Sequence, residues 1–433
     1  MLRLPTENTL DREEKIMAEQ FTTLASLTVD GKGSYGIGAS AVPFSKDLYT
    51  YLRITDIKDD GTLNLQDLKS VDDEKASEYL LKPNDIVFAR TGASTGRNYF
   101  YDGMDGEFVY AGFLIKFSID EKKVNPKYIK YFCQSKQYKD WINSFNTGST
   151  RGNINAQTLG KMPIPLIERT AQDALVSILS SIDEKIKKNN EINNNLEQQA
   201  VLLFKKWFIE FDNSSKNMLE TRFGLVPESF KLLKNGELPL VVTDYVANGS
   251  FASLKANVTL YQEPNYAYFI RNTDLKSGTF EVFVDEHSYN FLSKSTLYGG
   301  EIIISNVGDV GSVFLCPKLD KPMTLGNNII MLRPEQENLR YYLYIWFKWL
   351  YGQSLIQGIK GGSAQPKFNK TDFKNLPIVL PPDDLLEQFH QIVKPMFELI
   401  DENNTENQAL TRTRDTILPR LMSGELDVSD IEI

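Results

Sequence analysis

Two stretches of the chain combine lysine, arginine and amide side chains in a pattern typical of nucleic-acid contacts. Residues 122–161 contain seven lysines and Arg151 against a single carboxylate, that of Asp140. Residues 336–375 contain six basic residues against Glu337 and Asp372. Lysine and arginine bind phosphate oxygens and release counterions, and arginine, asparagine and glutamine also reach base edges. These two basic strips predict two DNA-binding surfaces, although the formal net charge of the chain is −9.

The candidate DNA contacts lie in these strips and in the glycine-rich turn that follows residues 84–89. In the first half they are Arg90, Arg97, Lys127, Lys130, Ser149, Thr150, Arg151, Asn153 and Asn155. In the second half they are Lys360, Ser363, Gln365, Lys367 and Lys370. Two other interpretations stay open. In the first, the lysines only solvate a helix face. In the second, the aromatic residues between them, such as Tyr128 and Tyr138, form a core stripe and not a stacking platform, which is the interpretation that we favour.

The residue types and spacings of a catalytic or metal site are not evident in the sequence. The two histidines lie about 100 residues apart, and the two cysteines are too few for a disulfide framework or a zinc cage. No G-x-x-x-x-G-K-[ST] loop is present to hold nucleotide phosphates. We therefore expect a non-catalytic protein without a cofactor or metal of its own, with an enzyme whose site is unrecognised as an alternative.

The elements that position the two strips occur twice in the chain. YLRITDIKDDG (51–61) aligns with YFIRNTDLKSG (268–278), and NDIVFARTGASTG (84–96) aligns with GEIIISNVGDVG (300–311). GSTRGNINAQTLGKMPIPL (148–166) aligns with GSAQPKFNKTDFKNLPIVL (362–380). Short β-rich runs, such as 86–88 and 301–305, alternate with turns and one aromatic helix in each half, which predicts two α+β domains in tandem.

Each half ends in a long helix with an apolar heptad seam. The seam positions of the first helix include Leu175, Leu179 and Ile182, and the same positions recur 214 residues later. Four asparagines interrupt the two seams at equivalent places, and they are Asn189, Asn193, Asn403 and Asn407. Antiparallel pairing of the helices would place Asn189 against Asn407 and Asn193 against Asn403, where buried amides fix the register. Four solvated amides are the alternative.

These patterns divide the chain into seven segments. They are an N-terminal extension (1–19), a first domain (20–166), a central helix (167–211), a connector (212–237), a second domain (238–380), a C-terminal helix (381–422) and an acidic tail (423–433). No apolar run approaches the roughly 20 residues of a membrane helix, and the first twenty residues lack the apolar core of a signal peptide. We therefore expect a cytoplasmic protein.

Three regions of the sequence resemble the specificity subunit of type I restriction-modification systems. They are LEQQAVLLFKKWFIEFD (196–212) with GLVPESFKLL (224–233), TRDTILPRLMSGELDV (413–428), and the repeated blocks at 84–96 and 148–166. The resemblance implies an α+β fold in which two tandem target-recognition domains are separated by two long antiparallel coiled-coil helices, with an internal pseudo-two-fold duplication.

The resemblance also implies a non-catalytic subunit that reads a gapped, bipartite target in double-stranded DNA. Methyltransferase subunits specific for adenine, and restriction subunits, would dock on it. S-adenosylmethionine, ATP and magnesium would then belong to those partners. The alternative from another class is a coiled-coil scaffold whose paired domains bind proteins.

Overall fold

The chain folds into two compact units. The computed structural model describes residues 21–65, 67–145, 153–211, 217–362 and 365–422. Unit 1 combines residues 1–187 with residues 407–433, and unit 2 comprises residues 188–406. Each unit therefore contains one part of each long helix.

Unit 1 contains two four-stranded sheets and one two-stranded sheet. Its strands are β1 (Phe21–Thr23), β2 (Ser34–Tyr35), β3 (Ala41–Pro43), β4 (Tyr49–Leu52), β5 (Lys69–Val71), β6 (Asp85–Ala89), β7 (Asn98–Tyr101), β8 (Phe108–Tyr110), β9 (Leu114–Ser118) and β10 (Pro163–Pro165). The strand orders are β2-β9-β6-β7, β3-β5-β4-β8 and β1-β10. All neighbouring strands are antiparallel except β4 and β8.

Strand β6 is an inner strand of its sheet, and it is fully buried. Its five residues, DIVFA, are all buried. Ile86 and Phe88 belong to one apolar cluster, whereas Val87 and Ala89 belong to another. Successive side chains of a strand point to opposite faces, so the sheet is covered on both sides and fixes the position of the turn that follows Ala89.

Three short helices and the first long helix follow the sheets of unit 1. They are α1 (Pro126–Phe132), α2 (Lys136–Asn143), α3 (Ala156–Gly160) and α4 (Arg169–Phe208), which continues into unit 2. Helix α1 begins at a proline, and the Asn125 side chain accepts a hydrogen bond from the backbone N–H of Lys127. Proline suits the first helical position, and an asparagine cap satisfies a free N–H group.

Unit 2 repeats this plan with additional strands and helices. Its strands are β11 (Met218–Thr221), β12 (Gly224–Pro227), β13 (Lys231–Lys234), β14 (Leu240–Asp244), β15 (Leu260–Tyr261), β16 (Ala267–Ile270), β17 (Phe283–Val284), β18 (Thr296–Leu297), β19 (Ile302–Ser305), β20 (Val313–Leu315), β21 (Met323–Leu325), β22 (Ile329–Pro334) and β23 (Pro377–Leu380). Its helices are α5 (Phe251–Asn257), α6 (Asn272–Ser277), α7 (Glu286–Phe291), α8 (Leu339–Lys348), α9 (Leu350–Gly358), α10 (Lys370–Lys374) and α11 (Asp383–Met422), which continues into unit 1.

The strand pairings of the two units correspond. The order β14-β22-β19-β20 matches β2-β9-β6-β7, and β13-β23 matches β1-β10. The parallel pair β4–β8 has its counterpart in the parallel pair β16–β21. A tyrosine in each unit donates its hydroxyl hydrogen to the last strand before the long helix, from Tyr128 to the carbonyl of Pro165 and from Tyr342 to that of Val379. The internal duplication seen in the sequence is therefore also present in the structure.

The two long helices pair in opposite directions within each unit. In unit 2, the Asn189 amide donates to the Glu406 carboxylate (2.7 Å), and the Asn403 amide donates to the Asn193 oxygen (2.8 Å). Further along α4, the Phe204 ring lies 6.1 Å from that of Phe389. Because the partner number falls as the number on α4 rises, the pairing is antiparallel. In unit 1, Leu175 and Leu179 share a core with Leu418 and Leu421.

The asparagines of the seam differ in their surroundings. Asn193 and Asn403 hydrogen-bond to each other, as the heptad alignment predicts. Asn189 and Asn403 are buried, with 1% and 9% of their surfaces exposed, so these two amides are not solvated. The predicted contact between Asn189 and Asn407 joins residues of different units and stays a prediction.

The fold is α+β with a tandem duplication and two long helices, as predicted from the sequence. The seven segment boundaries that we derived from the sequence stay predictions, although the long helices begin at Arg169 and Asp383. None of the described helices combines the length and the apolarity needed to cross a membrane.

Candidate nucleic-acid interface

In unit 1, the turn after β6 is held between two neighbouring loops. The backbone N–H of Arg90 donates to the carbonyl of Phe113 (3.1 Å), and the Arg90 carbonyl accepts from the N–H of Ile154 (2.9 Å). Thr91 and Asn153 form an antiparallel bridge beside these bonds. We define loop cluster 1 as residues 35, 90–91, 113 and 153–156. Its backbone is fixed on both sides of Arg90, so the direction of that side chain is constrained.

The Arg90 side chain lies over the ring of Tyr35. Its guanidinium carbon is 5.1 Å from the ring centroid, a distance at which the cation is attracted to the ring face. The Tyr35 hydroxyl accepts a hydrogen bond from the backbone N–H of Ala156 (3.1 Å), while 42% of the residue surface is exposed. The neighbouring Phe113 and Asn153 are also exposed. Loop cluster 1 thus presents a cation, an amide and two aromatic rings at the surface.

Unit 2 reproduces this backbone arrangement after β19. The N–H of Asn306 donates to the carbonyl of Asn328 (3.1 Å), and the Asn306 carbonyl accepts from the N–H of Phe368 (3.0 Å). Val307 and Lys367 form the corresponding antiparallel bridge. We define loop cluster 2 as residues 306–308, 328, 361 and 365–368. Both sequence copies therefore build the same frame of hydrogen bonds.

The side chains on this shared frame differ between the two clusters. Asn306 occupies the place of Arg90, and its amide donates to the Phe368 carbonyl (3.3 Å). Lys367 occupies the place of Asn153 and is exposed. One cluster offers a guanidinium and an amide, while the other offers amides and an ammonium group. The two surfaces can therefore form different hydrogen bonds with a ligand.

The described residues do not group histidine, cysteine and carboxylate side chains in threes as a metal site would require. Cys133 and Cys316 are free thiols, both buried. Burial raises the pKa of each thiol, so neither has the accessible thiolate of a reactive cysteine. The chemistry offered by the two clusters is hydrogen bonding and charge.

Comparison with known families identifies the duplicated region. The family model described as type I restriction modification DNA specificity domain matches residues 45–198 and 244–412, which together make up about three quarters of the chain. The chain belongs to this family. Its members named as specificity subunits are the non-catalytic DNA-recognition components of restriction-modification enzymes, and this chain is therefore a DNA-recognition subunit.

Relatives and a solved structure agree with this assignment. The chain is 25% identical over 320 residues to the type I restriction enzyme MjaIX specificity subunit of Methanocaldococcus jannaschii, covering 72% of each chain. It is 22% identical over 408 residues to the HindI specificity subunit of Haemophilus influenzae, covering 80% of this chain and 87% of the relative. The type I S subunit from M. genitalium has a similar fold, with a TM-score of 0.51, 18% identity, and coverage of 93% and 95%.

Three of the candidate cations in this specificity subunit are in ion pairs. The nitrogen–oxygen distances are 2.6 Å for Arg97 with Asp59, 3.0 Å for Lys130 with Asp183, and 2.8 Å for Lys370 with Asp244. Lys130 thus joins α1 to α4 and stands away from the cluster 1 backbone frame. A DNA phosphate would have to compete with a carboxylate for each of these side chains.

The other described candidates have mixed surroundings. Lys127 is half-buried, while Asn153, Lys360, Gln365 and Lys367 are exposed. Gln365 and Lys367 lie in loop cluster 2, and the bridge between Gly361 and Lys367 brings Lys360 beside them.

Asn155 caps a helix. Its oxygen accepts from the backbone N–H of Thr158 (2.8 Å) at the start of α3. Asn369 caps α10 in the same way, by accepting from the N–H of Asp372. Capping explains why both copies place asparagine here.

Four candidates, Ser149, Thr150, Arg151 and Ser363, lie outside the described residues. The aromatic residues of the first strip are largely core. Tyr128, Tyr131, Phe132 and Tyr138 are buried, which confirms the interpretation as a core stripe for these four. The Trp141 and Phe145 rings pack edge to face, 4.8 Å apart, at the end of α2.

Several residues of the two clusters were not predicted from the sequence. Among them are Tyr35, Phe113, Asn306 and Asn328. Tyr35 lies in the glycine-rich segment GKGSYGIG, and Asn306 aligns with Arg90 between the repeats. The alignment therefore contained a signal for Asn306, whereas the pairing of Tyr35 with Arg90 depends on a contact between residues 55 positions apart in the sequence.

Proposed function

We propose that this chain reads a gapped, bipartite target in double-stranded DNA, with each unit contacting one half-site. The observation that carries this proposal is the recurrence of one backbone frame with different side chains, at Arg90 in unit 1 and Asn306 in unit 2. A shared frame supports the same mode of docking, and different donors select different bases. The two half-sites should therefore differ in sequence, which makes the target asymmetric.

The gap between the half-sites is set, in this proposal, by the paired long helices. Each helix contains 40 residues. Major-groove half-sites on one face of DNA recur every ~34–36 Å, so a helical spacer of fixed length selects a fixed gap. The interhelical contacts of Asn193 and Asn403 support a fixed register for that spacer.

Methyltransferase and restriction subunits are the proposed partners, as the resemblance to type I restriction-modification specificity subunits implies. S-adenosylmethionine, ATP and magnesium would be bound by those subunits, in the cytoplasm, and this chain would bind none of them. Exposed apolar side chains on the long helices support the docking of other subunits. Leu202 on α4 is 60% exposed and lies beside Ile345 and Trp349, at a groove of about 400 Å³ in unit 2.

The test is a methylation map of DNA from cells that co-express this chain with its cognate adenine methyltransferase. We expect one gapped, asymmetric adenine-methylated motif that is absent when the chain is omitted. A stable complex that produces no motif and does not shift DNA would contradict the proposal and favour a protein-binding scaffold.

A further inference from the structure

Arg90 is distinguished from the other described arginines of residues 21–187 by its lack of a carboxylate partner. Arg53 pairs with Asp56, Arg97 with Asp59, and Arg169 with Asp173. Arg90 has no ion pair in the part of unit 1 that the structure describes. Among the described residues, its charge is therefore not neutralised by a neighbouring acid and is available to an external acceptor.

The Arg90 side chain is also positioned before any ligand arrives. Its backbone is hydrogen-bonded to Phe113 and Ile154, and its guanidinium lies over the Tyr35 ring. Its Nε is buried without a hydrogen-bond partner among the described residues. The two terminal nitrogens have no hydrogen bond to another described residue, so both remain donors for a ligand. A planar guanidinium held in this way loses little conformational entropy when it binds.

We propose that Arg90 reads a guanine in the half-site bound by unit 1, and that Tyr35 is the residue that positions it. Paired terminal donors match the O6 and N7 acceptors that guanine presents in the major groove, whereas adenine presents a donor in place of O6. This inference rests on the proposed function, and it adds the identity of one base and of the residue that selects it.

The equivalent position in unit 2 supports the assignment by contrast. The Asn306 side chain is shorter than that of arginine, and its amide already donates to the Phe368 carbonyl. Asn306 has no paired cationic donors, so we do not expect Asn306 to select a guanine at the equivalent step of the unit 2 half-site. The half-site bound by unit 2 therefore serves as an internal reference for changes at the half-site bound by unit 1.

The experiment compares wild type and Arg90→Ala in the methylation map, using the full chain co-expressed with the methyltransferase. Loss of a bidentate contact should reduce discrimination for guanine at one position of one half-site by about 5- to 150-fold. The unit 2 half-site should remain intact, which also shows that the variant is folded and assembled. Arg169→Ala is the matched control, because it removes an arginine of unit 1 outside loop cluster 1 and should leave the motif unchanged.

Variants of Tyr35 test its positioning role. Tyr35→Ala should relax the same guanine position, because the guanidinium loses the ring beneath it. Tyr35→Phe keeps the ring and loses only the hydroxyl bond to Ala156, so it should restore most of the discrimination. Uniform loss at all positions of the half-site would indicate general damage to unit 1 and would overturn the positioning role.

The outcomes separate this inference from the proposed function. If wild type directs no gapped motif, the proposed function itself is wrong. If wild type directs a motif but Arg90→Ala keeps every position at wild-type stringency, the two-half-site function stands and the guanine assignment is wrong. A single relaxed guanine in one half-site would establish both.

Discussion

The two units share their frame of hydrogen bonds, but the group of side chains at which three helices meet is polar in unit 1 and aromatic in unit 2. In unit 1, the Asp183 carboxylate of α4 accepts from Lys130 (3.0 Å), from the Tyr131 hydroxyl (2.9 Å) and from Arg414 (3.2 Å). Asp183, Lys130, Tyr131 and Arg414 form the polar junction. Three elements of unit 1, namely α1, α4 and α11, therefore meet at one carboxylate.

In unit 2 the corresponding elements meet at a group of aromatic rings, and an ion pair between Lys348 of α8 and Glu197 of α4 adds a polar contact. Phe208 of α4 lies 5.0 Å from both Tyr342 of α8 and Phe389 of α11, measured between ring centroids. Phe204 is 5.3 Å from Tyr342 and completes the group. These four rings form the aromatic junction, and all are at least 97% buried. Its stability comes from apolar burial and edge-to-face packing.

The difference shows which features of the duplicated fold are constrained. Strand order and the tyrosine bond to the last strand are preserved, because they determine the position of the backbone. The side chains of the junctions and of the loop clusters differ between the units, while the polar and apolar groups of each still find partners of their own kind. Arg90 and Asn306 follow the same rule, since both occupy one backbone position and offer different donors.

The largest effect is expected from emptying the aromatic junction. Phe389→Ala removes a ring that is 0% exposed, and such a truncation costs about 3–5 kcal/mol of stability. Hydrogen exchange with mass spectrometry should show faster exchange in peptides from residues 188–208 and 383–406. Peptides from 169–187 should exchange at the wild-type rate.

Ile392→Ala is the control, since this side chain lies three residues further along α11 and is 41% exposed. It should change exchange very little. Equal acceleration in both units after Phe389→Ala would show that the units unfold together. The aromatic junction would then not stabilise unit 2 separately from unit 1.

A smaller effect is expected at the polar junction. Burial alone would raise the pKa of Asp183, but Lys130, Tyr131 and Arg414 together hold that pKa below its usual value. Asp183→Asn removes the carboxylate partner of Lys130 and leaves Arg414 with Asp415 alone, which we expect to cost about 1–3 kcal/mol. Exchange in peptides 126–132 and 169–187 reports the loss, with the exposed Glu184→Gln as control.

The sign of the acid response follows from the lowered pKa. Asp183 contributes its full stabilisation above the unfolded value of about 3.9, and this is lost as pH falls through the folded pKa. Wild-type unit 1 should therefore weaken below about pH 4, whereas the Asp183→Asn variant should show a flatter response there. Parallel acid curves for the two proteins would contradict the role of this carboxylate.

Much of the fold was predictable because duplication gives two observations of each element. The heptads located both long helices and the Asn193–Asn403 contact. The runs at 86–88 and 301–305 correspond to strands β6 and β19. The parallel pairing of β4 with β8 was not predictable, since it joins segments about 58 residues apart whose local sequences do not specify a partner.

The candidate site was predictable in composition and less so in geometry. Counting cations cannot detect ion pairs with distant acids. Lys370 pairs with Asp244, 126 residues earlier, and Lys130 pairs with Asp183, 53 residues later. Conversely, Arg90 is distinguished by having no carboxylate partner among the described residues and by its contact with Tyr35, and the local sequence reveals neither.

The smallest effect is expected from His390, which lies beside the aromatic junction. Its ring stacks on that of Tyr341, with centroids 5.4 Å apart, and only 4% of its surface is exposed. Its Nδ1 is buried without a hydrogen-bond partner among the described residues. The charged residues that act on it are Glu337, Arg340, Glu387 and Lys394.

Burial lowers the pKa of His390, and the neighbouring charges partly offset one another. Above about pH 6.5 the imidazole is neutral in both the folded and the unfolded chain. Below that pH the unfolded chain binds a proton that the folded chain resists, so stability falls until the pH passes the folded pKa.

His390→Phe removes this penalty and the unsatisfied nitrogen, so the free energy of unfolding should rise by an amount on the order of 1 kcal/mol. The gain should be larger at pH 5.5 than at pH 7.5 in hydrogen exchange of residues 383–406. Asp183 responds only below about pH 4, so unit 2 should lose stability before unit 1 as the pH falls. If unit 1 lost stability first, the assignment of His390 and Asp183 as the titrating groups of the two units would be wrong.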